Sequence, residues 1–166
     1  MLKEEIQNTI TRAMKEGDEV VRSTLRMLSA AVVSKEKEKR YKISKQKPDL
    51  TEEGLVKGSQ LTDEEIIDVI TSEIKKRKDS VAAYEMGKRE DLVKKEKEEI
   101  EILQKYLPEQ LSEEEIKRIV KEAIKKTVAK EIKDMGKVMA ELMPKIKGRA
   151  DGSLVSKIVK ELLTAK

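Results

Sequence analysis

The chain has 166 residues, of which 42% are charged and 2% aromatic, with neither Cys nor His. Those absences remove disulfide frameworks, thiolate nucleophiles, imidazole bases and the usual zinc sets. Apolar runs extend over only a few residues, too short for a membrane span or a signal peptide, so a cytoplasmic protein without a membrane partner is expected.

The alternation of β-branched and aromatic residues that strands favour is missing, whereas Lys, Glu, Leu, Ile, Ala and Met suit helices throughout; the expected class is all-α. Net charge is +4, and it is uneven. Residues 112–166 hold 14 Lys and Arg against 9 Asp and Glu, so the positive excess sits at the C-terminal end. Such a field favours a polyanion, although helical proteins that bind none also carry it.

In chain order, Leu2, Ile6, Ile10 and Ala13 mark a first amphipathic helix that should stop at Gly17, with Asp18 placed to cap the next. Val21, Leu25, Leu28 and Val32 carry a second stripe as far as Ser34. The pattern then gives way to KEKEKRYKISKQK, residues 35–47, with seven basic and two acidic residues. This run reads either as a solvated helix end or as a nucleic-acid contact in which Tyr41 alone stacks on a base. Pro48 to Gln60 has two glycines, a proline and no sustained period, so a mobile loop is expected over about 43–60.

Thr62 to Glu65 has the spacing of a capping box, opening a helix with Ile66, Ile70, Ile74, Val81 and Tyr84 inward and an end near Gly87. Lys75, Lys76, Arg77 and Lys78 go round a turn of it and are expected to be solvated. Leu92, Val93, Ile100, Leu103 and Leu107 form another stripe, closed by Pro108. Four helices thus precede Pro108, giving an N-terminal domain over 1–108, with a hinge expected at Tyr106–Leu111. Ser112 to Glu115 is a second capping box and opens a three-helix C-terminal domain, 109–166, with helices near 112–127, 134–146 and 152–164.

Within that domain Met135, Val138, Met139, Leu142, Met143 and Ile146 form one apolar face, the methionines reading as core rather than a pliable groove. Leu154, Val155, Ile158, Val159, Leu162 and Leu163 form the next. Between them lies KIKGRADG, residues 145–152, where Lys145, Lys147 and Arg149 surround a helix N-terminus whose free N–H groups favour anions. Gly148 and Asp151 read as a helix stop and an N-cap; Gly136 admits either a phosphate or a neighbouring helix. Lys147 and Arg149 have no such local duty.

The blocks LTDEEII (61–67), KKRKDSVAAYE (75–85), DLVKKEKEEIEILQKYLPEQLSEEEI (91–116) and DMGKVMAELMPKIKGRADGSLV (134–155) together resemble the YqeY-like proteins of the GatB/YqeY family. The C-terminal part is similar to the tail domain of GatB, a subunit of the tRNA-dependent amidotransferase that amidates misacylated Glu-tRNA or Asp-tRNA. The resemblance implies a four-helix domain followed by a three-helix tail. It also implies a tRNA-facing role for Lys137, Lys145, Lys147, Arg149 and Gly152, with an aminoacyl-tRNA synthetase or amidotransferase as a possible partner. The catalytic domain of the amidotransferase has no counterpart here.

No Walker loop and no GxGxxG is present, and no cofactor is expected. Asp and Glu lie among Lys on helix faces without an isolated acid–base pair, and Ser153 and Ser156 near Lys157 offer a Ser/Lys mechanism only formally. The leading expectation is a non-catalytic tRNA-binding or tRNA-associated helical protein. Its rivals are a protein–protein adaptor docking a partner in an apolar groove and, last, a glutamine-dependent carbon–nitrogen ligase.

Overall fold

Described over residues 1–164, a computed structural model of the chain is all-α, with eight α-helices and no strand among the described residues. It divides into two compact units, Met1–Tyr106 and a second that begins at Leu107. No helix among the described residues is long and apolar enough to cross a membrane.

The first unit holds α1 (Leu2–Glu16), α2 (Glu19–Gln46), α3 (Glu52–Ser59), α4 (Asp63–Met86) and α5 (Glu90–Gln104), five helices where the sequence suggested four. Several boundaries follow from local signals. Gly17 closes α1 in the left-handed conformation, φ 73°, and Asp18 caps α2 by accepting the Val21 N–H at 3.0 Å. The Thr62–Glu65 box opens α4 as expected. α5 ends at Gln104, ahead of Pro108, and from Leu107 onward the stretch expected to be a hinge belongs to the second unit.

The expected loop over 43–60 is a correction. Residues 43–46 continue α2, and Thr51 caps α3 by accepting the Gly54 N–H. Gly54 does not break the helix: Leu50 folds over it, and a Cβ there would stand 2.5 Å from Leu50 Cδ2. The charged half of α2 keeps its helix because it is pinned by polar contacts in place of an apolar stripe. Lys3 Nζ donates to buried Glu36 at 2.6 Å, Lys39 donates to both oxygens of Glu65 and to the Gln60 carbonyl, and Arg40 Nε donates to buried Ser59 Oγ.

The apolar core of the unit comes from Ile6, Ile10, Leu25, Leu28, Ile66, Ile70 and Leu103. A charged cluster joins α4 to α5 beside it. Arg77, expected to be solvated, is 5% exposed, and its Nε donates to Glu99 Oε2 and its Nη1 to Glu73 Oε2, each at 2.9 Å. Glu99 is itself buried. Such a group is held only while both signs are present, because an unpaired charge left in the interior loses its hydration without compensation.

The second unit is built from α6 (Glu113–Thr127), a 3₁₀ turn (Ile132–Asp134), α7 (Met135–Ile146) and α8 (Gly152–Thr164). Its core unites Ile116, Val120, Ile124, Val138, Leu142, Ile146, Val155, Val159 and Leu163. Met135 and Met139 pack against that core, whereas Met143 is half exposed. Pro144 lies inside the last turn of α7, where it removes one backbone donor.

Two outcomes test the charged cluster. Arg77→Leu is expected to destabilise the protein by about 3–5 kcal/mol, read as a lower urea midpoint, and adding Glu99→Leu should recover part of it. Burial opposes the charge on Glu73, but hydrogen bonds from Lys76 and Arg77 outweigh it and hold the carboxyl below its ordinary range. A carboxyl lowered on folding stabilises above its unfolded pKa and loses that effect as acid titrates it through the folded value. The stability gap between wild type and Glu73→Gln should therefore be full at neutral pH and close as the pH falls below the usual carboxylate range.

Candidate nucleic-acid interface

The bend between α7 and α8 is fixed from both of its sides. Within the bend, the N–H groups of Arg149 and Ala150 both donate to the Ile146 carbonyl, at 2.8 and 3.0 Å. The chain leaves α7 at Lys147, with φ −54° and ψ 119°, and buried Gly148 follows at φ 69°, the left-handed position of a type II turn closed by the Arg149 N–H on the Ile146 carbonyl; the helix thus stops one residue before the glycine that the sequence suggested as its stop. Asp151 caps α8, its Oδ1 accepting the Ser153 N–H at 2.9 Å. The N-terminus of α8 is thus partly served by its own carboxylate and does not present the set of free N–H groups that the sequence suggested.

The other side is the segment before α6. Leu111 N donates to the Arg149 carbonyl at 2.7 Å, and Gln110 Nε2 donates to the Gly148 carbonyl at 2.7 Å and to the Pro108 carbonyl at 2.8 Å. Arg149 Nε in turn donates to the Glu109 carbonyl at 3.2 Å. The LPEQLS and KGRADG blocks, about forty residues apart in the chain, are therefore stitched together by reciprocal bonds. Arg149 accordingly has a local duty, contrary to the sequence reading, and only its two terminal nitrogens lie clear of that bond.

The five expected contact residues do not form one cluster. Lys147 and Arg149 share the bend, Lys145 stands on the last turn of α7 before it, and Gly152 opens α8 after it. Lys137 lies in the first turn of α7, eight residues before Lys145 and so about 12 Å away along the axis. Each cation also has a local partner. Lys137 Nζ is 3.4 Å from Asp134 Oδ1 and Lys145 Nζ is 3.7 Å from Glu141 Oε1, both lysines being exposed. Lys147, half buried, is likewise engaged.

Carboxylates interleave with these cations. The backbone N–H groups of Lys130 and Glu131 hold the Asp134 carboxyl below its ordinary range, with Lys137 adding to the effect. The Lys126 hydrogen bond does the same for Glu141, and the Ser112 N–H and hydroxyl for Glu115, beside which Arg118 and Arg149 both lie. All three stay charged at neutral pH, so the surface alternates in sign and is not uniformly positive. Gly136 is exposed with nothing within 4 Å of a Cβ built on it, which excludes close approach of a neighbouring helix as its reason. Among the described residues no group of His, Cys, Asp or Glu forms a metal site.

The pattern that defines the family described as Yqey-like protein matches residues 34–163. No curated protein matches the chain.

The seam generates a stability test. Gln110→Ala removes the donor serving the buried Gly148 carbonyl and is expected to cost about 1–2 kcal/mol, measured by thermal or urea unfolding. Gln110→Glu, which keeps the shape but offers an acceptor in place of that donor, should be no better.

Proposed function

From membership of the YqeY-like family, to which the chain belongs, we propose that this is a non-catalytic, tRNA-associated helical protein. Its second unit turns the Lys145–Gly152 bend towards the tRNA phosphate backbone. The sequence resemblance of residues 134–155 to the tail domain of GatB supports the reading, and with it we propose an accessory role in tRNA-dependent amidation of Glu-tRNA or Asp-tRNA.

The observation that carries it is the hydrogen bonding of the bend. Three hydrogen bonds from or to residues 109–111 hold the loop that carries Lys147 and Arg149, and Lys145 stands on the last turn of α7 ahead of it. Cations whose backbone is already ordered meet a phosphate at little further entropic cost. Their present ion pairs do not oppose this strongly. An exposed Lys–Glu pair is worth roughly 0–1 kcal/mol, so a phosphate can displace Glu141 from Lys145 or Asp134 from Lys137. Recognition of this kind reads backbone charge and shape, with little base specificity.

Filter binding of total tRNA at two salt concentrations tests it, comparing wild type with Lys145→Gln plus Lys147→Gln. These substitutions leave the Arg149 clamp intact. Wild-type retention should fall steeply with added salt. The variant should bind more weakly, with a log–log salt slope shallower by about 0.9 for each phosphate that a lysine no longer neutralises. Equal retention of both proteins would discard the bend as the tRNA-facing surface.

A further inference from the structure

The structure sorts the charges of α2 onto two sides. Glu36, Lys39 and Arg40 turn inward to Lys3, Glu65 and Ser59, while Lys37, Tyr41, Lys42 and Lys45 face outward and are exposed. Lys37, Tyr41 and Lys45 follow at intervals of four residues and so form one line along the helix, about 6 Å from each to the next. Of the three tyrosines in the chain, Tyr84 and Tyr106 are half buried, whereas Tyr41 is 61% exposed.

Lys45 Nζ lies 4.7 Å from the centre of the Tyr41 ring. Lys35, by contrast, is committed to Glu38 at 2.9 Å. That carboxylate, which also feels Lys42, is the one acid on the outward side of residues 35–47, and it is already neutralised by these two lysines. Among the described residues, neither Lys37 nor Lys45 has an ion-pair partner. The line is thus an aromatic plate with one cation a turn before it, Lys37, and one a turn after it, Lys45, whose ammonium rests over the ring.

We infer that this line on α2 binds single-stranded nucleic acid, Tyr41 stacking on a base while Lys37 and Lys45 take the phosphates on either side. The chemistry is that of sequence-tolerant single-strand binding, in which a positive track follows the backbone and aromatic rings supply stacking. An acidic peptide would satisfy the lysines equally well but has no use for the ring, and that difference separates the two partners. The surface lies on the first unit, so the inference stands independently of the tRNA-facing bend in the second.

Fluorescence anisotropy of a labelled oligouridylate on the full chain tests it. Tyr41→Phe should bind as wild type, whereas Tyr41→Leu should weaken binding about 5- to 150-fold, as removal of one stacked base does. Lys37→Gln plus Lys45→Gln should weaken binding and flatten the salt slope by about 0.7 per lysine. Lys145→Gln plus Lys147→Gln, at the bend, should leave oligouridylate binding unchanged. The side chains altered on α2 are all exposed, and unchanged helical circular dichroism confirms that the variants fold. Equal affinity of Tyr41→Leu and Tyr41→Phe would overturn the inference. So would displacement of the oligouridylate by polyglutamate as effectively as by unlabelled oligouridylate, or failure of the bend variant to bind it.

Discussion

The guanidinium of Arg77, closed in by Glu73 and Glu99, fixes how α4 and α5 meet beside the apolar core of the first unit. Ile66, Ile70 and Ile74 of α4 and Ile100, Ile102 and Leu103 of α5 are buried, and the ions Arg77 and Glu99 are buried with them. Once inside, each ion requires its counterpart in place, so the helices can approach in only the register that supplies both. The same logic recurs where Lys3 reaches Glu36 and where Lys39 grips Glu65. In this unit opposite charges extend the work of the core across the second half of α2.

The boundaries readable in advance were those marked by short-range chemistry. Gly17, Asp18, Thr62, Ser112 and Asp151 each satisfy a backbone group within a few residues of themselves, so a local pattern is enough to place them. What escaped depends on partners distant in the chain. The helix α3 was hidden by Pro48, Gly54 and Gly58, although Thr51 followed by two glutamates was a start signal, and its hold on α2 runs through Arg40 and Ser59.

The buried charges were missed inside runs that look solvated. A signal was nonetheless present: Arg77 extends the series Ile66, Ile70, Ile74 by three residues, and Glu36 extends Leu25, Leu28, Val32 by four. A charged residue standing on an apolar stripe is a candidate for an internal pair. The bend presents the converse case. Its cations were legible as a group, but no spacing within KGRADG reveals that Arg149 is spent on the Glu109 carbonyl or that Gln110 holds the Gly148 carbonyl.

The proline in the last turn of α7 gives the bend one more property. Without an N–H at Pro144, the carbonyl of Ala140 loses its ordinary partner along the helix, and because Ala140 is exposed, water can take that place. One carbonyl of α7 is thus handed to solvent just ahead of the bend. The Lys147 N–H still reaches the Met143 carbonyl at 3.1 Å and buried Ile146 anchors the same turn, so the end of α7 stays braced across the gap, like a ladder that lacks a single rung.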